Sequence, residues 1–419
     1  MDSRAFTSRS RQGRRIAFIV EKLAQRSGGA ERVLIETANA LAARGHSVEI
    51  ITHEYRGAPP FYPLAPGVML SNLRNLHRSR LKRRIDGARS LLERAPDVPG
   101  LDRLVWFSRH GSFWRQLSAH LQVMQPDVAV AFMPPAISAL ALAKIPPSVR
   151  RVASIHNVPE QEFMNPERWD SSRLDRRRRL ELLSRFDRIT VLLPEHRDWF
   201  APDLRPAISV IPNAIEPVPP ERIAAAAREN VVMAVGRLAT VKRNELLLEA
   251  WSRLAPEFPD WSLQIFGVGP LQDQLAARIE ASELQSAHLM GHVPDIKDRY
   301  LRSAILAHPA EFEGFGLAPA EALAAGLPVV GFADCSGVNT LVQDQINGLL
   351  VPGEGDRVAN YASALASLMR DGALRARLGA QGPASMSVYA PPIIIDGWEQ
   401  IIFGDHAPEL RDMSRQGAV

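Results

Sequence analysis

Short apolar runs and helix-period segments alternate along most of the chain, and the alternation occurs in two series. Residues 14–20 read as a buried strand, followed by a polar loop ending in Ser27-Gly28-Gly29. The next segment, 30–44, carries Val33, Leu34, Ala38 and Leu41 at helical spacing and is stopped by Gly45. Further strands are predicted at 47–52, 127–132, 151–155, 189–193 and 207–211. The second series has strands at 231–235, 262–266, 289–293, 304–307 and 347–351, and helices over 244–254 and 356–388. Pro217, Pro219 and Pro220 fall between the two series and mark a joint.

Alternation of this kind builds parallel sheets with helices on both faces. The pattern therefore predicts an α/β protein of two doubly wound, Rossmann-like domains facing each other across a cleft. The expected N-terminal domain covers 14–216, the linker 217–229 and the C-terminal domain 230–390. Residues 391–404, opened by Pro391-Pro392, form an apolar helix expected to cross back onto the N-terminal domain, and the arm 1–13 and tail 405–419 are expected to be disordered.

Charge changes this picture of two similar halves. The formal net charge is only +4, yet residues 1–220 hold 34 Lys and Arg against 22 Asp and Glu, while the remainder holds 16 against 24. Basic residues crowd the stretch from Arg74 to Arg94, and Trp106, Phe107, Phe113 and Trp114 then interleave with Arg103, Arg109 and Arg115. Such sequence suits either an anionic membrane surface or a solvated helix with core aromatics. Arg176-Arg177-Arg178-Arg179 reads as a further solvated or membrane-facing surface. No nucleic-acid recognition motif accompanies the charge, so no nucleic-acid partner is expected. The single cysteine, Cys335, excludes a disulfide framework and a cysteine-built metal site, and fits a reducing cytosol. The most apolar stretch, 128–143, is interrupted by Pro134 and Pro135 and falls short of the roughly 20 residues a spanning helix needs. The basic start lacks a following apolar run, so no secretory signal is expected.

The chemistry is densest in 309–330. An apolar strand runs into a turn holding Gly314 and Gly316, which opens an alanine-rich helix. Glu313 falls in the turn and Glu321, eight residues later, just over one turn inside the helix. A glycine-preceded helix N-terminus exposes backbone N–H groups that suit phosphate, and carboxylates beside it suit sugar hydroxyls.

This stretch resembles the EX7E motif of the retaining family-4 glycosyltransferases, through Glu-Gly-Phe-Gly-Leu at 313–317, the second Glu, and Gly-Leu-Pro-Val-Val at 326–330. Other segments carry the same resemblance. Gly28-Gly29-Ala30-Glu31-Arg32 is similar to the family's first loop, and Pro212-Asn213-Ala214-Ile215-Glu216 to its Pro-Asn-Gly-Ile-Asp, with Ala214 in place of Gly. Gly236-Arg237-Leu238 with Lys242 resembles the pair that grips the donor diphosphate, although Arg243-Asn244 stand where the family usually has Gly-Val or Gly-Asp. Gly267-Val268-Gly269-Pro270 and the Gly-x-Val at Gly291–Val293 follow the pattern, while Thr340 replaces a common Glu.

The resemblance implies a GT-B fold and a metal-independent hexosyltransferase that retains anomeric configuration by internal return. The absence of any Asp-x-Asp agrees with metal independence. It implies a nucleotide-sugar donor, with UDP favoured and GDP-mannose possible, and a glycan or lipid-linked acceptor at the cytosolic membrane face. Arg237, Lys242, Glu313 and His156 are the implied catalytic residues. Gly28, Gly29, Val293, Phe315, Gly316, Leu317 and Glu321 are the implied donor-binding residues, with Glu321 on the ribose. An epimerase or phosphorylase of the same fold would share these domains.

Overall fold

The computed structural model of the chain describes residues 13–55, 57–74, 101–165 and 173–404. The expected arm before Gly13, the tail beyond Gly404 and the basic run from Arg78 to Arg94 lie outside the described residues. The chain divides into two compact units, one running to Pro212 and resuming at Ile395, the other Asn213–Ile394. The proline-rich segment 217–229 lies in the second unit and includes the short helix Pro220–Ala224.

The first unit is built on seven parallel strands, β1 (Arg15–Ile19), β2 (Ser47–Thr52), β3 (Val68–Asn72), β4 (Val128–Phe132), β5 (Arg150–Ser154), β6 (Arg188–Val191) and β7 (Ile208–Val210). Their order is β3-β2-β1-β4-β5-β6-β7. Ile16 pairs with Val48 on one side and Val128 on the other, so β1 is central. All five residues of β4 are buried, as expected where helices cover both faces. β3 escapes the apolar pattern because it is an edge strand, and it leaves Met69 and Leu70 exposed.

The aromatic helix Leu101–Met124 resolves the choice between membrane face and core in favour of the core for half of its rings. Trp106 and Phe113, with Leu117 and Leu121, fall on one face and join the hydrophobic cluster of this unit. Burying each such side chain contributes about 1.5–3 kcal/mol. Leu104 and Phe107 remain exposed. The four-arginine run also needs correction. On the helix Arg173–Leu182, Arg179 is 1% exposed and lies 2.9 Å from Asp175, one turn back. Asp175 in turn accepts from the Trp106 indole at 2.7 Å and from His110 at 3.1 Å. Against the opposing effect of burial, His110 and the Arg179 guanidinium hold its carboxyl below the usual range. From Ile395 the helix Pro391–Phe403 belongs to this unit, where Arg44 bonds Asp396 and Glu399 and Trp398 is buried.

The second unit has six parallel strands, β8 (Val231–Val235), β9 (Ser262–Phe266), β10 (Ala287–Gly291), β11 (Ile305–His308), β12 (Val329–Phe332) and β13 (Gly348–Val351). Their order is β10-β9-β8-β11-β12-β13. In both sheets the chain order reverses next to a central strand, between β1 and β4 and between β8 and β11. The loops leaving the carboxyl ends of such neighbours diverge to opposite faces, and ligands of open parallel sheets bind in the crevice between them. Among the described residues no helix is long and apolar enough to cross a membrane.

Candidate active site

In the second unit, the loops that leave β8 and β11 carry five of the eight residues expected there, with Leu317 and Glu321 in the following helix and Val293 after β10. Gly236-Arg237-Leu238 follows β8, and the exposed Arg237 side chain projects from this loop. A short turn, Thr240–Lys242, then precedes the helix Asn244–Leu254, so Lys242 lies ahead of the helix rather than inside its first turn. The β9 loop packs directly on this segment. The Leu238 amide donates to Val268 O at 3.1 Å, and a Cβ on Gly269 would lie 2.2 Å from Leu238 O, which only glycine permits.

The β11 loop is fastened to the same turn. The Glu311 amide donates to Val241 O at 2.9 Å, Arg243 pairs with Glu311 at 2.9 Å, and Lys242 Nζ forms an ion pair with Glu313 Oε1. His308 Nε2, at the end of β11, reaches the same Oε1 at 2.7 Å. Ser336 Oγ donates to the Glu313 carbonyl at 3.2 Å. Lys242 and His308 together hold the Glu313 carboxyl well below the ordinary carboxylate range, overcoming a burial that alone would raise it. Burial lowers His308, which keeps its ring neutral beside Lys242. The neighbouring Cys335 thiol is pushed up to about 12, chiefly by burial and then by the Glu313 charge, so it stays protonated and inert.

Beyond Glu313 the loop turns into the helix Leu317–Ala324. Gly316, at φ 93° and ψ 64°, is the residue before the helix and occupies the left-handed region that glycine tolerates. No side chain caps this end. Pro319 has no N–H, and among the described residues the amides of Gly316, Leu317 and Ala318 are not donated to the protein. Three N–H groups at the positive end of the helix are thus available to an anion. Phe315 is buried, edge-on to Tyr389 at 5.2 Å, which fixes the turn from below. Glu321 is half-buried and accepts from the Tyr300 hydroxyl at 3.1 Å. Val293 lies half-buried in the loop after β10, whose strand ends at Gly291 rather than at Val293.

Gly28, Gly29 and His156 belong to the first unit. Gly28 precedes the helix Gly29–Ala43 in an ordinary extended conformation, and the Glu31 carboxylate folds back so closely that a Cβ on Gly28 would lie 2.2 Å from its Oε2. Glu54, missed by the sequence reading, fastens the preceding loop by accepting from the amides of Leu23 and Ala24, each at 3.0 Å. His156 follows β5 and stacks on Phe132 at 4.6 Å, and Phe132 stacks on Trp398. Thr190 Oγ1 donates to Ser154 Oγ at 2.8 Å, and Ser154 Oγ lies 2.8 Å from His156 Nε2. Burial pushes this histidine down to about 3, so it is neutral at physiological pH.

Two family models divide the chain between them. The model for Glycosyltransferase Family 4 matches residues 27–218, and the model for Glycosyl transferases group 1 matches 220–385. The chain belongs to the GT-B glycosyltransferases. It is 26% identical to an uncharacterized glycosyltransferase of Haemophilus influenzae over 93% of this chain and 100% of that protein. It is 29% identical to the D-inositol 3-phosphate glycosyltransferase of Rhodococcus opacus over 85% of this chain and 81% of that one. Against two other curated relatives, from Streptomyces coelicolor and Bacillus subtilis, it spans only 23% and 28% of their length. Among solved structures, a mutant of S. aureus TarM in complex with fondaparinux, alpha-GlcNAc-glycerol and UDP has the same fold, with a TM-score of 0.72 at 15% identity over 93% of this chain and 100% of that one.

Residues that the sequence reading did not assign complete the second-unit site. His308 and Tyr300 each hold one of the two glutamates. The signal for His308 was present, as a polar residue ending an otherwise apolar strand just before Pro309.

Proposed function

We propose that this protein transfers a hexose from a nucleotide diphosphate sugar, UDP-linked rather than GDP-linked, to a polysaccharide or lipid-linked acceptor, with retention of anomeric configuration and without a metal ion. One observation carries the reading. Lys242 pairs with Glu313 in the loop after β11, that carboxylate is held ionised, and three undonated amides open the helix that follows the loop. A diphosphate fits the cations and amides, and sugar hydroxyls fit the carboxylate. The UDP bound to the TarM relative supports a uridine donor.

As the bond from the anomeric carbon to the phosphate oxygen breaks, negative charge grows on the departing diphosphate. Arg237, Lys242 and the amides of Gly316 and Leu317 stabilise that charge, because they are in place before the reaction and need no reorganisation. Glu313 holds hexose hydroxyls through Oε2, since both of its protein partners occupy Oε1. Glu321 holds the ribose hydroxyls, and neutral His156 bonds a sugar hydroxyl. Retention follows by internal return, the leaving phosphate taking the acceptor proton. The carboxylates act as holders rather than as an acid and a nucleophile. The net positive charge of residues 1–220, with exposed Leu104 and Phe107 beside basic side chains, supports action at an anionic cytosolic membrane face.

The test is a screen of UDP- and GDP-sugars by thermal shift and slow hydrolysis. Stabilisation and turnover by one sugar nucleotide is the expected result, and indifference to all of them removes the proposal.

A further inference from the structure

Lys242 has two claims on it. In the structure its ammonium pairs with Glu313, but a donor diphosphate would draw it away. Glu313 is only 15% exposed at its side chain, and a carboxylate so enclosed is costly to leave without a partner. His308 offers a second partner. It is 3% exposed, closes the central strand β11, and reaches Glu313 Oε1 at 2.7 Å from a backbone fixed by pairing to β8 and β12. We infer that His308 is a positioning residue, holding Glu313 through Oε1 so that Lys242 can pass to the donor diphosphate while the carboxylate keeps its place for the sugar. This role rests on the donor-site reading proposed above and deepens it.

Among the described residues, the groups around the carboxylate leave this task to His308. From the turn after β8 comes Lys242, the group that must move. From the segment after β12 comes Cys335, whose raised thiol is uncharged and whose Sγ donates to Ser336 O. Tyr361, packed beside this strand end, spends its hydroxyl on Val330 O at 2.8 Å and stays neutral. Neutral His308 supplies one N–H to Oε1 without adding a second cation to repel Lys242. It therefore assists the carboxylate without competing for the phosphate.

Two substitutions separate positioning from packing. Glutamine places its amide nitrogen where Nε2 of the ring lies, whereas asparagine places its own where Nδ1 lies and leaves Oε1 unserved. The full chain, His308→Asn and His308→Gln are titrated with UDP and GDP by calorimetry, with melting temperatures recorded in parallel. The expected result is that His308→Asn weakens nucleotide binding about tenfold, because Lys242 is then kept on Glu313. His308→Gln restores binding, at a melting temperature similar to that of His308→Asn. Equal nucleotide binding by the two variants overturns the role of His308. A parent protein that binds neither nucleotide, and no sugar nucleotide in the screen above, fails the donor-site reading itself and takes this inference with it.

Discussion

The hydroxyl of Tyr300 donates to Glu321 Oε2 at 3.1 Å, joining the helix Ile296–Arg302 to the helix that leaves the β11 loop. Tyr300 is 1% exposed, so the bond is made from a fixed base and orients one carboxylate oxygen. If Glu321 holds ribose, Tyr300→Phe weakens UDP binding by about three- to tenfold, the cost of one lost hydrogen bond. The effect shrinks for 2′,3′-dideoxy-UDP, which has no ribose hydroxyl to misplace. Equal losses for both nucleotides in a calorimetric titration would place Glu321 elsewhere in the site.

Lys242→Ala is expected to reduce transfer by about a hundred- to a thousandfold, as removal of one preorganised charge-stabilising donor does. The fold survives because His308 still serves Glu313 and because both members of the ion pair retain some solvent, 21% and 15%. A circular dichroism spectrum like the parent's and a melting temperature lower by a few degrees complete the expectation. Full activity in the alanine variant would remove Lys242 from the reaction.

Two departures from the expected strands lie at sheet edges. Parallel strands buried on both faces read as continuous apolar runs, which made β4 and β8 plain in the sequence. β3 and β10 each border solvent on one side, and both lack that signal. β3 was not anticipated, and β10 begins two residues before the expected position, with His288 exposed. In the site, the family resemblance pointed to Glu313, Glu321 and Lys242. Their partners could not be read in the same way, since Tyr300 meets Glu321 across 21 residues only because two helices pack. Arg179 shows the opposite case. Its four-residue spacing from Asp175 was visible, but a run of four arginines suggested solvent, and only the fold puts one of them inside.

Arg243 stands in the left-handed region, at φ 49° and ψ 40°, where the sequence had already departed from an expected glycine. A residue with a side chain costs about 1–2 kcal/mol there, while its ion pair to Glu311, with side chains 31% and 49% exposed, returns at most about 1 kcal/mol. Arg243→Gly should therefore match or slightly exceed the parent in urea unfolding, and Arg243→Ala should fall below Arg243→Gly by about 1 kcal/mol. An alanine variant as stable as the glycine variant would mean that the loop relaxes out of this conformation.

His196 is 2% exposed, and neither of its ring nitrogens has a hydrogen-bond partner among the described residues. Burial pushes it down to about 4, as it pushes His156 to about 3, from an ordinary value of 6.5. Below that value the unfolded chain takes up protons that the folded chain refuses, so stability is full above it and falls with pH until the folded values are reached. Asp175 and Glu313 have depressed carboxyl groups, whose contribution is full above the ordinary carboxylate range and is lost below it, as pH falls towards their lowered folded values. The urea midpoint is thus expected to be flat from about pH 8 to pH 7 and to decline between about pH 6.5 and pH 4.5. His196 alone accounts for roughly 2 kcal/mol of that decline at about pH 5. His196→Leu removes a buried group that pays for desolvation without a bond in return, so the variant should be at least as stable as the parent at about pH 5, with a shallower decline. A parent midpoint constant across the window, or an unchanged slope in His196→Leu, would show that His196 protonates without unfolding the chain.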